Sequence, residues 1–142
     1  MSSTSFTILK DDVLKVFASL GVSEMQGIHK KALKASANVL VKEARVKLAG
    51  VTPRHASMQK GIRSYVSKNV DFAKVHIMGD FRLKFFEMGA GWKSPRITRK
   101  GQDRGIMEAR PFFSPAINAA KGRMAEVMRK TIIDAVNKRA KQ

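Results

Sequence analysis

The side chains best able to do chemistry in this 142-residue chain are few, and they are scattered. The three histidines are His29, His55 and His76. They fall on an expected helix, a loop and a strand, with none of the short spacings that metal ligands show. They read as three unrelated imidazoles. Eleven acids stand against 28 lysines and arginines, and no two carboxylates have a spacing that suits acid–base work. With so few acids, no Ser–His–Asp arrangement can be assembled. Gly89-Ala90-Gly91 resembles a phosphate loop only superficially, because it lacks a Gly-Lys-Ser/Thr ending and opens no recognisable helix. The chain contains no cysteine, which excludes a thiol nucleophile, a disulfide framework and a cysteine-based zinc site. These observations point away from an enzyme, and no cofactor is expected.

Two features carry more weight. Glu87 lies in the apolar stretch 81–88, two residues before Gly89. It reads either as a buried acid with a raised pKa or as a structural carboxylate that pairs with an arginine or caps a backbone. The structural reading is favoured because cations are so abundant. The second feature is a basic loop at 92–105, in which Trp92, Lys93, Arg96, Arg99, Lys100 and Arg104 lie within 13 residues. Three readings stay open: contact with phosphates, with Trp92 as a stacking platform; docking onto an acidic neighbour; or a solvated loop. No helix-turn-helix, RNP or zinc-finger pattern accompanies it.

The elements that must position these residues follow from periodicity. Leu9, Val13, Val16, Phe17 and Leu20 recur at helical spacing and predict a short N-terminal helix ending near Gly21. Ser23 with Gln26 has the spacing of a capping box. The proline-free stretch 24–49 predicts one long helix ending at Gly50. It carries two apolar stripes: Met25, Ile28, Ala32, Ala35, Val39 and Val46, and Leu33, Ala37, Leu40, Ala44 and Leu48. A face that broad is either deep in the core or shared with another subunit. Residues 62–66 and 72–78 alternate as two strands of an antiparallel hairpin, with Asn69 and Asp71 at the turn. Residues 81–88 fit a strand or a short helix equally, and 106–109 a returning strand. Phe113, Ile117, Ala120, Met124, Val127, Thr131 and Ala135 predict a last long helix, with Pro115 suited to its first turn. The expectation is an α+β fold, a small antiparallel sheet packed against two long helices plus a short N-terminal helix, in a single domain over 1–142.

The formal net charge is +17, with all of the excess in residues 23–142. Such a chain repels its own copies and is drawn to nucleic acid, anionic membrane or acidic protein. No apolar run approaches the roughly 20 residues of a membrane span, so no membrane partner is expected. The first residues lack the pattern of a signal peptide, which suggests a cytosolic product.

Phe85-Phe86-Glu87-Met88-Gly89, followed after the basic loop by Ala109-Arg110-Pro111-Phe112-Phe113-Ser114-Pro115-Ala116, resembles the tail-completion or head–tail joining component of long-tailed bacteriophages. That family shows an aromatic stretch ending Glu-aromatic-Gly-Thr. After a gap comes Ala-Arg/Gln-Pro-Phe-Leu-x-Pro-Ala, opening a final amphipathic helix. An Ala- and Lys-rich helix and a Pro-containing turn precede both; here Ala32 to Ala49 and Pro53 stand in that order. The resemblance covers about residues 25–138. The chain departs from it at Thr52-Pro53-Arg54-His55-Ala56, where the family reads Pro-Val-Asp-Thr-Gly, and at Ala90, where it has Thr. The resemblance implies a structural virion protein made in the host bacterial cytoplasm. It would be one subunit of a homo-oligomeric ring that completes the tail and joins it to the head at the neck. Its partners would be other phage neck and tail proteins and double-stranded DNA in the channel. Glu87, Gly89, Arg110, Pro111, Phe112 and Pro115 are then structural motif residues, with Glu87 in reach of Arg110 across the sheet. The rival reading is a small basic nucleic-acid-binding protein.

Overall fold

A computed structural model of the chain describes residues 21–52, 56–91 and 96–142. The expected N-terminal helix, the Pro53 turn, His55, and Trp92 and Lys93 of the basic loop lie outside the described residues. Helix α1 spans Val22–Val51. A 3-10 helix, Ala56–Gly61, leads to strands β1, Arg63–Val66, and β2, Ala73–His76. Helix α2 spans Arg82–Met88 and helix α3 spans Phe113–Ala140. The architecture is α+β: two long helices packed together, with a two-stranded antiparallel sheet and a short helix. Within the described residues the short helix is central, between the sheet and α3, not N-terminal.

Helix α1 begins earlier than the Ser23 capping box predicts. Gly21 is the N-cap, in extended backbone, and its carbonyl accepts the Met25 amide at 3.1 Å; no side chain caps this end. Ser23 and Gln26 therefore sit inside the helix. At the other end Thr52 closes the last turn, donating both its amide and its hydroxyl to the Leu48 carbonyl. The Leu33–Leu48 stripe is buried throughout. The Met25–Val46 stripe divides: Ala32 is fully buried, whereas Val46 is 67% exposed. The reason is that α3 covers only part of the broad apolar face. Ala32, Ala37 and Ala44 of α1 and Ala116 and Ala120 of α3 are all at most 2% exposed, and small side chains let two helices approach closely. Along α3 the deepest positions are Ala116, Ala120 and Val136, while most of the predicted stripe, Phe113, Ile117 and Met124 among it, flanks them half-buried.

The two long helices run antiparallel. Glu24 meets Arg139 at 3.2 Å, Glu43 meets Arg123 at 2.6 Å, and the Ser36 hydroxyl donates to the Met124 carbonyl. Surface pairs of this kind add little stability; they fix direction more than they hold the helices together. The core is the cluster Leu40, Val41, Ala44, Leu48, Met58, Ile62, Leu83, Phe112, Ala116 and Ala120.

The hairpin pairs Arg63 with His76, Ser64 with Val75, Tyr65 with Lys74 and Val66 with Ala73. Ser67 organises its turn, accepting the Asp71 and Phe72 amides on its hydroxyl. Val70 is buried there at φ 63°, a strained conformation for a β-branched residue. Where the 3-10 helix meets the turn before α2, Gly79 donates its amide to the Gly61 carbonyl at 3.1 Å. A Cβ on Gly61 would fall 2.6 Å from the Asp80 Cβ, so this contact admits no side chain. It sets α2 against the core through Leu83, which is fully buried.

Candidate functional site

The stretch 81–88, open between strand and helix in the sequence, is helical. Asp80 caps it, with Oδ1 accepting the Arg82 amide while the carboxylate binds the Arg82 guanidinium at 2.6 Å. Phe81, Phe85 and Met88, spaced four and three apart, share one helix face, and it is turned outward. They are 67%, 41% and 67% exposed. Phe81 and Phe85 meet edge to face at 6.2 Å.

The inward business of α2 is done by Glu87. Its carboxylate does not pair with Arg110, as the sequence suggests, nor does it reach across a sheet. Both oxygens face the N-terminus of α3. Oε2 accepts the amides of Phe112 and Phe113, each at 2.9 Å, and Oε1 accepts the Ser114 amide at 3.0 Å and its hydroxyl. A helix start leaves its first amides without intrahelical partners. Here Glu87 takes those of Phe113 and Ser114, together with that of the N-cap, Phe112. Pro115 has no amide to leave unpaired, and the Ala116 amide returns to the Phe112 carbonyl at 3.2 Å. Every donor of the first turn is accounted for. The negative carboxylate also complements the positive end of the helix dipole. Burial pushes the Glu87 carboxyl upward, but the Ser114 hydroxyl and the three backbone amides outweigh it and hold the group below the usual carboxylate range. Of the alternatives the sequence left open, the backbone-capping carboxylate is the one present, and the buried acid with a raised pKa is not.

The other motif residues complete the junction. Gly89 ends α2 at φ 74°, ψ 178°, a region closed to side chains, and donates to the Phe85 carbonyl. Arg110 donates its backbone amide to the Phe86 carbonyl at 2.7 Å. Pro111 holds the preceding residue extended. Phe112 is fully buried against the α1 core and meets Phe113 edge to face. The two motif segments, far apart in sequence, thus form a single joint.

Between them the chain makes an excursion whose described residues pair through their backbone. Ala90 and Met107 exchange both backbone hydrogen bonds at its base, 3.0 and 2.8 Å. That single bridge is all there is of the returning strand expected at 106–109. Farther out, Arg104 donates to the Arg96 carbonyl, Ile97 bridges Asp103, and Thr98 and Gln102 are bonded across the tip. The Gly101 amide closes the turn on the Thr98 carbonyl, and Gly101 itself has φ 76°. This is a hairpin whose tight turn ends in a left-handed glycine. Arg99 and Lys100 occupy its centre, both exposed. Of the predicted basic residues, Arg96, Arg99, Lys100 and Arg104 are described, and the structure gathers them on this arm; none is in an ion pair among the described residues.

The sequence reading missed Ser114 as a partner of Glu87 and missed the outward stripe on α2. A serine in the first turn of a helix whose N-cap is a phenylalanine was the available signal for the first. The four-and-three spacing of Phe81, Phe85 and Met88 was the signal for the second. His29 and His76 stand on α1 and β2, and no group of three metal-ligating side chains occurs among the described residues. None of the described helices is long and apolar enough to cross a membrane. The chain matches no protein-family model, no curated protein and no solved structure.

Proposed function

We propose that this protein is a non-enzymatic structural subunit of a tailed bacteriophage. In this reading it belongs to the oligomeric ring that completes the tail and joins it to the head. The observation that carries the reading is the Glu87 joint. The two segments on which the resemblance rests, 85–89 and 109–116, are tied together by one carboxylate on three amides of α3. Residues that make a joint of this kind serve architecture rather than turnover. Two further features suit a subunit of an assembly. The α2 stripe leaves large apolar side chains in water, as a surface awaiting a neighbour does. The basic arm presents Arg99 and Lys100 at the tip of a backbone-paired hairpin that leaves from the end of that same helix, where an acidic neck or tail protein can receive them.

The test is electron microscopy of lysates from a phage whose copy of this gene is disrupted. Filled heads and separate tails are expected; normal joined virions would overturn the proposal. The purified wild-type protein should also form closed rings, alone or on its neighbour, because head-to-tail contacts close when the rotation permits.

A further inference from the structure

The arm does not account for the charge of the molecule. From Lys93 to Arg104 five cations stand against one acid, a balance of +4 out of +17. Part of the remainder is organised on the β1–β2 hairpin. Val75 and Ile77 pack toward the core, so strand alternation turns Lys74 and His76 to the opposite face. Their cross-strand partners, Tyr65 and Arg63, share that face. Arg63 and Lys74 are exposed and Tyr65 is 50% exposed. No acid stands among the four, and none pairs with them among the described residues. Arg63 is anchored by donating Nε to the Lys60 carbonyl at 3.2 Å. Lys60 and Lys68, also exposed, lie just before and just after β1 in the chain. Along the chain the nearest acids are Asp71, in the turn beyond the ladder, and Asp80, held by Arg82.

We propose that this outer sheet face, through Arg63, Tyr65, Lys74 and His76, contacts the phosphate backbone of double-stranded DNA. Residues two apart on a strand are separated by about 6.6 Å, and cross-strand neighbours by about 5 Å. The patch therefore spans about two phosphates of one DNA strand, which carries a charge every 3.4 Å or so along the axis. Arginine, lysine and tyrosine side chains are regular donors to phosphate oxygens. A protein partner fits the face less well. Protein interfaces have cores depleted in charge and rich in apolar area, and this face offers two cations, one phenol and one imidazole. The α2 stripe has the opposite composition. The two surfaces divide the work: apolar contact for protein, cationic contact for DNA. The inference draws on the ring reading only for where the DNA comes from; the binding itself belongs to the isolated chain.

The experiment uses the full-length protein and a labelled 30-base-pair duplex of mixed sequence, with affinity measured by fluorescence anisotropy across a salt series. Three variants are compared: the reversal Arg63→Glu/Lys74→Glu, the neutral Arg63→Gln/Lys74→Gln, and Lys130→Glu/Lys138→Glu. The last makes the same charge change as the first on exposed positions of α3. Circular dichroism confirms that each is folded. The sheet variants should lose about tenfold or more in affinity, and the slope of log K against log salt should fall by about two. The α3 variant should lose less and keep more of its slope. Equal losses in the two reversals would mean that only net charge matters, and the proposal would fail. It would fail equally if the neutral sheet variant bound DNA normally but no longer assembled, since the face would then belong to a protein contact. A protein that forms no ring yet binds DNA through this face would remove the ring reading and leave this one standing.

Discussion

The joint at Glu87 and the arm that leaves from Gly89 are adjacent in the chain and opposite in design. At the joint, one carboxylate meets backbone amides that have no other partner, and Phe112 beside it is fully buried. On the arm, Arg99, Lys100 and Arg104 are exposed and in no ion pair among the described residues, while the backbone is paired. The joint holds the fold; the arm displays charge. Charge does both jobs, and what separates them is whether the partner lies inside the molecule. A carboxylate on a helix start is worth much because amides left unpaired are costly. An exposed guanidinium is worth little to stability because water serves it well.

The largest break in that comparison comes at Phe112. Truncation to alanine should destabilise the fold by about 3–5 kcal/mol, the range for a large buried aromatic. Chemical denaturation checks this; a loss under 1 kcal/mol would mean that the joint does not bear on the core.

Glu87→Gln comes next. It keeps the shape and removes the charge, and should cost about 2 kcal/mol, the scale of a hydrogen bond to an ionised group. The pH dependence gives a second readout. The folded carboxyl lies below its ordinary value, so its stabilisation is fully present above about pH 4.3, the unfolded value for Glu. It is lost as pH falls through the lower folded value. Wild type should therefore lose its advantage over Glu87→Gln progressively as pH falls below about 4.3. A constant difference down to pH 3 would show that the carboxylate is not what the amides bind.

The sequence disclosed the joint's residues but not its bonds. Glu87, Gly89, Arg110, Pro111, Phe112 and Pro115 were visible as a motif. Backbone capping by Glu87 was one of its two structural readings, beside an arginine pair made plausible by 28 cations, but which amides it would meet was not visible. Helix N-terminal amides carry no residue identity and cannot be seen in a sequence. The long helices were legible from period and composition. Their buried faces were only half legible, since an apolar stripe does not say which neighbour covers it: Ala32 is buried and Val46 is not. Composition also hid the arm. Glycine and basic residues suggest an irregular loop, and only backbone pairing reveals Thr98 to Gly101 as a turn.

Gly91→Ala sharpens the contrast at smaller magnitude. Gly91 has φ 92°, and a Cβ there would lie 2.8 Å from the Gly105 carbonyl oxygen. The strain is about 1–2 kcal/mol, and the arm can relieve it by opening locally while the core stays folded. The Ala90 and Met107 amides should lose hydrogen-exchange protection while the melting temperature moves little. A fall in global stability as large as that of Glu87→Gln would show that arm and joint are one cooperative unit.

The smallest effect on stability is expected at the tip. Arg99→Glu/Lys100→Glu replaces two exposed side chains whose backbone already satisfies the turn, so stability should change by no more than about 0.5 kcal/mol. The consequence lies in assembly. An arm that docks on an acidic neighbour meets like charge after the reversal, and like charges across an interface are strongly unfavourable. Under the proposed neck role, head–tail joining should fail while tails reach normal length. DNA affinity of the isolated chain should fall less than in the sheet variant Arg63→Glu/Lys74→Glu, although both change the net charge by the same amount. The favoured role for the tip is docking, because the arm leaves from the end of α2, beside the exposed apolar stripe of Phe81, Phe85 and Met88 that suits a protein neighbour. Micrographs of mutant lysates decide between the two uses: separate filled heads and finished tails place the arm against protein, and joined but non-infectious particles place it against DNA.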